Sequence, residues 1–544
     1  MPKTTRRGVG RSGRAGGFLK PKLVLAALLA PAVAFGQQPA SPPVVPAPRF
    51  DIARFEVQGN TLLPEDTIAG ALAPFSGRNK DFGDVQRALE ALESAYRDRG
   101  YGVVRVVLPE QDITAGVVRF RVVEPRLGRV RIEGNRHFGP ENIRRSLPAL
   151  KEEATPNSRD IARNLQLAAE HPVKQTNVLL RSGASEGEVD ATVRVSDDKP
   201  WRAFFTLDNT GTGETGYYRA AVGYQHTNLF DRDHTLTAQY VTSPTKASKV
   251  SIFGAGYRIP FYAWNSSLDF VAGRSDVDSG QVQGLFNVSG SGTIAAVRWT
   301  YYLPKWGDVE QKLALGLDYR AFKNEVVFAG QGLVPDITIH PVSATYSGLW
   351  RMAAAELYFY AAVSTNLPGG NDGRAADFER SRATATENYT IVRYGFNYAR
   401  QFRNEWQTRV GLSAQYTRDA LVSGEQFGIG GPDTVRGYLL REVTNDRGYA
   451  FQLELYSPDL AQRIGLPESY RLRLLGFYDY GTVSRNNALP GEQRGDSIRS
   501  AGVGVRLAYG KAASLRLDVA QILEPTANRR TSDQRVSAAL AVTF

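Results

Sequence analysis

Two segments of the 544-residue chain set an arginine and a carboxylate where each could meet the other. The first is Phe427-Gly-Ile-Gly-Gly-Pro-Asp-Thr-Val-Arg-Gly-Tyr438, in which Arg436 stands beside Gly437 in a glycine-rich stretch. The second is Leu472-Arg-Leu-Leu-Gly-Phe477-Tyr-Asp479-Tyr-Gly481, an alternating run. Alternation turns Leu472, Leu474, Tyr478 and Tyr480 to one side and Arg471, Arg473, Phe477 and Asp479 to the other. If the apolar side faces lipid, Asp479 points inward, where a carboxylate must be hydrated or paired. A planar guanidinium grips a carboxylate through two parallel hydrogen bonds, so Arg436 folding onto Asp479 would fix orientation as well as distance. The alternative is a solvated charge facing a water-filled interior.

Other chemistry is poorly supplied. There is no cysteine, which excludes disulfides, thiolate nucleophiles and Cys-ligated zinc. The five histidines (137, 171, 226, 234, 340) are scattered, without HExxH or HxxxH spacing. No GxSxG is present. Gly211-Thr-Gly213-Glu-Thr-Gly216 matches GxGxxG, yet a strand-like Tyr217-Tyr-Arg-Ala-Ala-Val222 follows instead of the helix whose N-terminus would meet a phosphate, so a hairpin turn is expected. No catalytic set, metal or cofactor converges, and the reading is not an enzyme.

Composition narrows the class further. Lys+Arg number 66 and Asp+Glu 55, a net charge of +11, and seven of the basic residues fall in the first 22 positions. Without that leader 11 − 7 leaves +4, which argues against a nucleic-acid partner. Lys3 to Lys22, the apolar run Leu23 to Phe35 and the small-residue exit at Ala34-Phe35-Gly36 describe a signal peptide over 1–36. Thirteen residues containing Pro31 are too short to cross a bilayer as a helix. An exported chain with no further apolar span is soluble or a β-barrel.

The elements that must position the motifs follow. Residues 37–50 (QQPASPPVVPAPRF) read as a proline-rich linker, unsuited to a helix. Residues 51–125 and 126–199 read as two copies of a small α/β module: Arg54-Phe-Glu-Val-Gln-Gly-Asn60 recurs 75 residues later as Arg129-Val-Arg-Ile-Glu-Gly-Asn135, each followed by a Pro-Glu helix start. In the first, Val85, Leu89, Leu92 and Tyr96 give one helical face, and Val104 to Leu108 and Val118 to Val122 read as strands. From 200 to 544 period two takes over, as in Leu313, Leu315, Leu317 and Tyr319 against Lys312, Ala314, Gly316, Asp318 and Arg320. Soluble sandwiches alternate too. Aromatic residues near strand ends, a charged face interleaved with small residues, and a final strand carrying Val536, Ala538, Leu540, Val542 and terminal Phe544 on one face favour a membrane barrel, with Phe544 as an assembly signal. The last 344 residues accommodate 14, 16 or 18 strands. Arg436 falls in a long connection, about 424–448, expected to fold inward.

Taken together, these segments resemble the two-partner-secretion transporters of Gram-negative outer membranes, the hemolysin/adhesin activator (TpsB-like) family. Val435-Arg436-Gly437-Tyr438 is similar to that superfamily's loop signature, Phe477-Tyr-Asp479-Tyr-Gly481 to its partner strand motif, and Glu454 to an inward acidic position. Leu207-Asp-Asn-Thr-Gly211 and Asn228-Leu-Phe-Asp-Arg-Asp233 are similar to the opening of its barrel. The resemblance implies two periplasmic POTRA (polypeptide-transport-associated) domains, a transmembrane antiparallel β-barrel of 16 strands, and an Arg436–Asp479 contact. It implies a pore that recognises a large exoprotein through its POTRA domains and secretes it without ATP. The implied partners are that exoprotein, outer-membrane lipid and the barrel-assembly machinery. An insertase of the same superfamily is the alternative, and a diffusion porin would have no use for the modules.

Overall fold

A computed structural model describes residues 48–544, apart from 114, 186, 277–279, 283–285, 289–290, 324–326, 329–330, 333–335 and 528. The expected signal peptide and nearly all of the proline-rich linker lie outside the described residues.

The two modules share one plan. In the first, Arg54–Gln58 runs parallel to the central Val117–Val123, which pairs antiparallel with Arg105–Val107. In the second, Arg126–Glu133 runs parallel to Glu188–Asp197, which pairs antiparallel with Lys174–Ser182. Two helices cover one face of each sheet: Glu65–Leu72 and Phe82–Asp98, then Pro140–Ser146 and Ser158–Ala168. Helix Phe82–Asp98 starts at a capping box, in which Asp81 and Asp84 each accept the other's backbone N–H. Its Val85, Ala88, Leu92 and Tyr96 are buried against Val118 and Phe120. The repeated Gly-Asn has a backbone cause. Gly59 and Gly134 both adopt positive φ (82° and 87°), and a Cβ on either would stand 2.5 Å or 2.4 Å from a carbonyl of the central strand. Asn60 and Asn135 then donate to the carbonyls of Leu63 and Phe138, each at 2.9 Å.

Beyond Trp201 the chain closes into an antiparallel barrel. The ladder has seventeen segments, of which Ile337–Ile339 and Pro341–Arg351 are two halves of one strand, both paired with Val309–Lys323 and interrupted at His340; 17 − 1 gives sixteen strands. The ends meet where Gln534–Thr543 joins Trp201–Asp208 through five residue pairs, against fifteen between Tyr470–Ser484 and Gly495–Tyr509.

One wall face is apolar and exposed, including Val222, Tyr240, Phe253, Leu315, Leu317, Tyr394, Leu453 and Val503. Such a continuous apolar belt is what a lipid-facing surface requires. Of the six tryptophans, Trp201, Trp264, Trp306, Trp350 and Trp406 stand at strand ends or turns on the module side of the barrel, all exposed, forming a girdle there. The other wall face looks into the bore, with Arg298, Asp318, Arg393, Glu454 and Asp479 on it. No helix among the described residues is long and apolar enough to cross a membrane, so the strands do the crossing. The Gly211–Gly216 run forms the turn between Trp201–Asp208 and Arg219–Leu229, with Thr212 bridged to Gly216.

Candidate functional site

The connection between Gln407–Tyr416 and Arg447–Tyr456 folds into the bore as a short hairpin, Phe427–Ile429 paired with Val443–Asn445, with Arg436 at its far end. Gly430, Gly431 and Gly437 all take positive φ (108°, 98° and 94°), which lets the hairpin reverse and turn Arg436 toward the wall. On that wall, Tyr470–Ser484 and Arg447–Tyr456 pair Gln452 with Asp479 and Glu454 with Phe477.

Arg436 and Asp479 meet. The guanidinium Nε and Nη2 donate to the two Asp479 oxygens, each at 2.7 Å, and the Arg436 backbone N–H donates at 3.1 Å. Nη1 donates to Glu454 Oε1 at 2.7 Å, and Tyr456 donates to the other Glu454 oxygen at 2.9 Å. The guanidinium lies 3.6 Å from the centroid of the Phe477 ring. Arg436 is 2% exposed and Asp479 0%, so the pair is desolvated, and each of the three guanidinium nitrogens donates to a carboxylate. Asp518 stands 4.0 Å from Nη1 and is itself held by Arg506 at 2.8 Å.

The flanking motif residues serve the same seat. Val435 is buried with Ile429, Ala450, Val483, Ile498 and Ile522. The Tyr438 hydroxyl reaches the Glu524 carbonyl at 2.6 Å. A Cβ at Gly481 would come within 3.0 Å of Val435 Cγ2 and 3.1 Å of an Ile429 methyl, so this glycine is the floor onto which the loop closes. Phe544, at the end of the last strand, is 74% exposed on the module side and far from this site in the fold.

Two further anchors hold the roots of the loop. Glu425, 1% exposed, accepts from Arg320 at 2.6 Å and from Arg393 at 3.0 Å. Asp446 is gripped by both terminal nitrogens of Arg382 and accepts the backbone N–H groups of Leu421 (2.9 Å) and Asn486 (2.7 Å). Sequence reasoning had no hold on these pairs: Arg320 and Glu425 are 105 residues apart, and alternation says only that Arg320 faces inward.

A third polar cluster joins the second module to the barrel, at the turn Asn228-Leu-Phe-Asp-Arg-Asp233. Phe230, Asp231 and Asp233 all have left-handed φ (60°, 54° and 58°), a tight coil that places Asp233 under the module. Its carboxylate accepts from Lys174 Nζ at 2.6 Å, Tyr262 Oη at 2.7 Å and Asn142 Nδ2 at 2.9 Å, and His171 Nε2 lies 3.7 Å away. Lys174 also donates to Asn142 Oδ1 at 2.7 Å, and His171 is bound to the Thr227 carbonyl at 2.9 Å. Burial alone would raise the Asp233 carboxyl, but the charges of Lys174 and His171 and the hydrogen bonds from Lys174 and Asn142 outweigh it and hold Asp233 below the usual carboxylate range. Burial pushes the His171 imidazole below its usual value, against the opposing pull of Asp233.

Residues 187–507 match the family described as haemolysin secretion/activation protein ShlB/FhaC/HecB, more than half of the chain. The chain belongs to this family. Residues 50–125 match the POTRA domain of ShlB type. The heme/hemopexin transporter protein HuxB of Haemophilus influenzae is 21% identical over 503 residues, covering 89% of this chain and 86% of HuxB. The outer membrane transporter CdiB-2 of Burkholderia pseudomallei is 29% identical over 251 residues, 42% of each chain. Among solved structures, CdiB from Escherichia coli superposes with a TM-score of 0.75 at 19% identity, covering 93% of both chains. CdiB from Acinetobacter baumannii gives 0.70 at 15%, covering 92% of this chain and 90% of that one. As a member of the haemolysin secretion/activation family, the protein is an outer-membrane β-barrel transporter of two-partner secretion, with its POTRA domain in the periplasm, and it exports an exoprotein partner. The insertase alternative is set aside.

Proposed function

We propose that the exoprotein is captured as an added β-strand and threaded, unfolded, into the barrel. The second module, which repeats the strand order of the matched POTRA domain, is read as a POTRA domain too. The observation that carries the capture reading is the edge strand Lys174–Ser182. It borders its sheet on one side only, and it starts at Lys174, buried in the junction with the barrel. Strand addition uses backbone hydrogen bonds and needs little sequence readout, which suits a long and varied cargo. A segment added there ends at the barrel mouth. Arg436, Asp479, Glu454 and Phe477 hold the loop as a fixed strut in the bore, and the pairs at Glu425 and Asp446 hold its roots. Transport uses no nucleotide; folding of the exoprotein outside supplies the bias. The cargo is an adhesin, a cytolysin, a haem-binding protein or a contact-dependent toxin. Lipid contacts the apolar belt, and the barrel-assembly machinery, reading the strand that ends in Phe544, inserts the barrel.

Deleting the gene tests the class of activity. Loss of one exoprotein from the culture medium, with other outer-membrane proteins at normal level, is expected; a general loss of outer-membrane proteins contradicts the reading. Photo-crosslinking groups at Gln175, Asn177 and Arg181 test the edge, and each should capture the retained exoprotein in cells.

A further inference from the structure

Three of the cavities along the barrel border the second module or the loop's anchors, and they are not equivalent. The first, about 380 Å³, opens at the second module and is lined by Glu170 and His171 together with Thr237, Arg258 and Arg298 of the wall. The second, about 450 Å³, lies beneath the loop root and is lined by Arg298, Arg320, Arg393, Phe322 and Glu425. Arg298 lines both, and it is the residue they share. The third, about 640 Å³, is on another arc of the wall, beside Asn397, Arg409 and Gln452, and it ends at Glu454.

The two ways upward therefore meet different obstacles. Beyond Glu454 stands Arg436, 2% exposed, with four side-chain and backbone donors at 2.7–3.1 Å and an aromatic ring against its face. The obstacle on the module side is weaker. Arg298 has a side chain 36% exposed, and its contact with Asp318 is 3.4 Å, at the long limit for a hydrogen bond. A half-solvated guanidinium held only by contacts of 3.4 and 3.5 Å swings at small cost, whereas unseating Arg436 strands the buried Asp479 and removes a donor from the half-buried Glu454. Asp318 does not depend on Arg298, because Arg320 holds it at 2.5 Å while also reaching Glu425 at 2.6 Å. Swinging Arg298 aside leaves the loop anchored.

We propose that Arg298 is the gate of the polypeptide path. The extended exoprotein passes from the second module along the wall made by strands between 219 and 323, with the docked loop as its facing wall, and never enters the pocket beneath Arg436. The gate's neighbours Arg258, Arg320 and Arg393 are paired with Glu170, Asp269, Asp318 and Glu425, so the half-exposed Arg298 is the loosely held cation on this path; it welcomes backbone carbonyls and acidic side chains and slows segments dense in lysine and arginine. This rests on transport of an unfolded chain through the bore, as proposed above.

Ion conduction through the purified full-length protein in planar bilayers, in potassium chloride, tests the gate without the cargo. Arg298→Ala should raise single-channel conductance by about twofold and lower the chloride-to-potassium permeability ratio, with normal heat-modifiability of the barrel. Unchanged conductance and selectivity overturn the gate. The path is read in cells, where the absence of native cysteine makes single-cysteine labelling unambiguous. The exoprotein lost on gene deletion is arrested in transit by a fused stable domain, and maleimide labelling of Thr237→Cys and Gln452→Cys is compared. Protection of Thr237→Cys alone is expected. Protection of Gln452→Cys, with or without the other, overturns the route while leaving transport through the bore intact. Protection of neither overturns the route and bore transport together.

Discussion

Lys174 and Asp233 offer the sharpest energetic test of how the periplasmic part is held on the barrel. Lys174→Met keeps length and apolar volume but removes the 2.6 Å donor to a carboxylate that is 2% exposed. Breaking one side of a buried pair costs about 3–5 kcal/mol, because the remaining charge stays desolvated. Asp233 keeps Tyr262 and Asn142 as donors, which places the expected cost near the lower end, about 3 kcal/mol. At ~1.4 kcal/mol per decade, the docking equilibrium shifts by about two orders of magnitude. Lys174→Met with Asp233→Asn removes both charges, and its cost should fall to about 1 kcal/mol. Spin labels on Arg181→Cys and Glu468→Cys report the junction in the otherwise cysteine-free protein through the width of the distance distribution. The single variant should broaden it, and the double variant should restore most of the narrow component. If the double variant is as broad as the single, the pair is not acting as a charge lock and the reasoning is wrong.

The remaining predictions concern pH and the loop. The His171 value is lowered in the docked state, so its contribution to docking is complete above about pH 6.5, the free value, and is lost as pH falls toward and through the docked value; the same labels should broaden reversibly at pH 5.5, and less so in His171→Gln. Asp233 is lowered as well, so its contribution is present above about pH 3.9 and disappears only as pH falls below that, outside the His171 window. Glu425→Ala leaves Arg320 and Arg393 facing a cavity that water can enter, so the loop root should loosen by about 1–3 kcal/mol, read as faster trypsin cleavage between 417 and 446 with the barrel intact. Gly437→Ala must adopt φ 94° and brings a methyl 3.2 Å from Ala520 Cβ; about 1–2 kcal/mol of loop docking should be lost, seen in the same cleavage assay.

Much of this architecture was legible in the sequence, and the reason is the period of two. A strand with one wet and one greasy side declares its facing residue by residue, so Asp479 and Arg393 could be placed on the bore face without a structure, while Glu454 was placed there through the family resemblance. The Gly-Asn repeat was readable because both copies need the same left-handed glycine against a carbonyl. Facing is not partnership, however. Arg320 finds Glu425, and Arg382 finds Asp446, across gaps that sequence spacing does not encode, because the loop crosses the bore to reach them. The short helix Ala375–Ser381 in an outer loop had no periodic stretch long enough to announce it. The junction shows the same limit: Asn228–Asp233 stood out as a motif, but Lys174 and His171 look like ordinary surface residues until the second module is seated on that turn.

Secretion by Arg436→Ala tests the central claim most directly, measured as exoprotein in the medium from cells whose barrel is inserted and heat-modifiable at normal level. With the loop no longer clamped to Asp479 and Glu454, the bore loses its fixed inner wall, and export should fall at least tenfold. Export at the level of the unaltered protein would contradict the account.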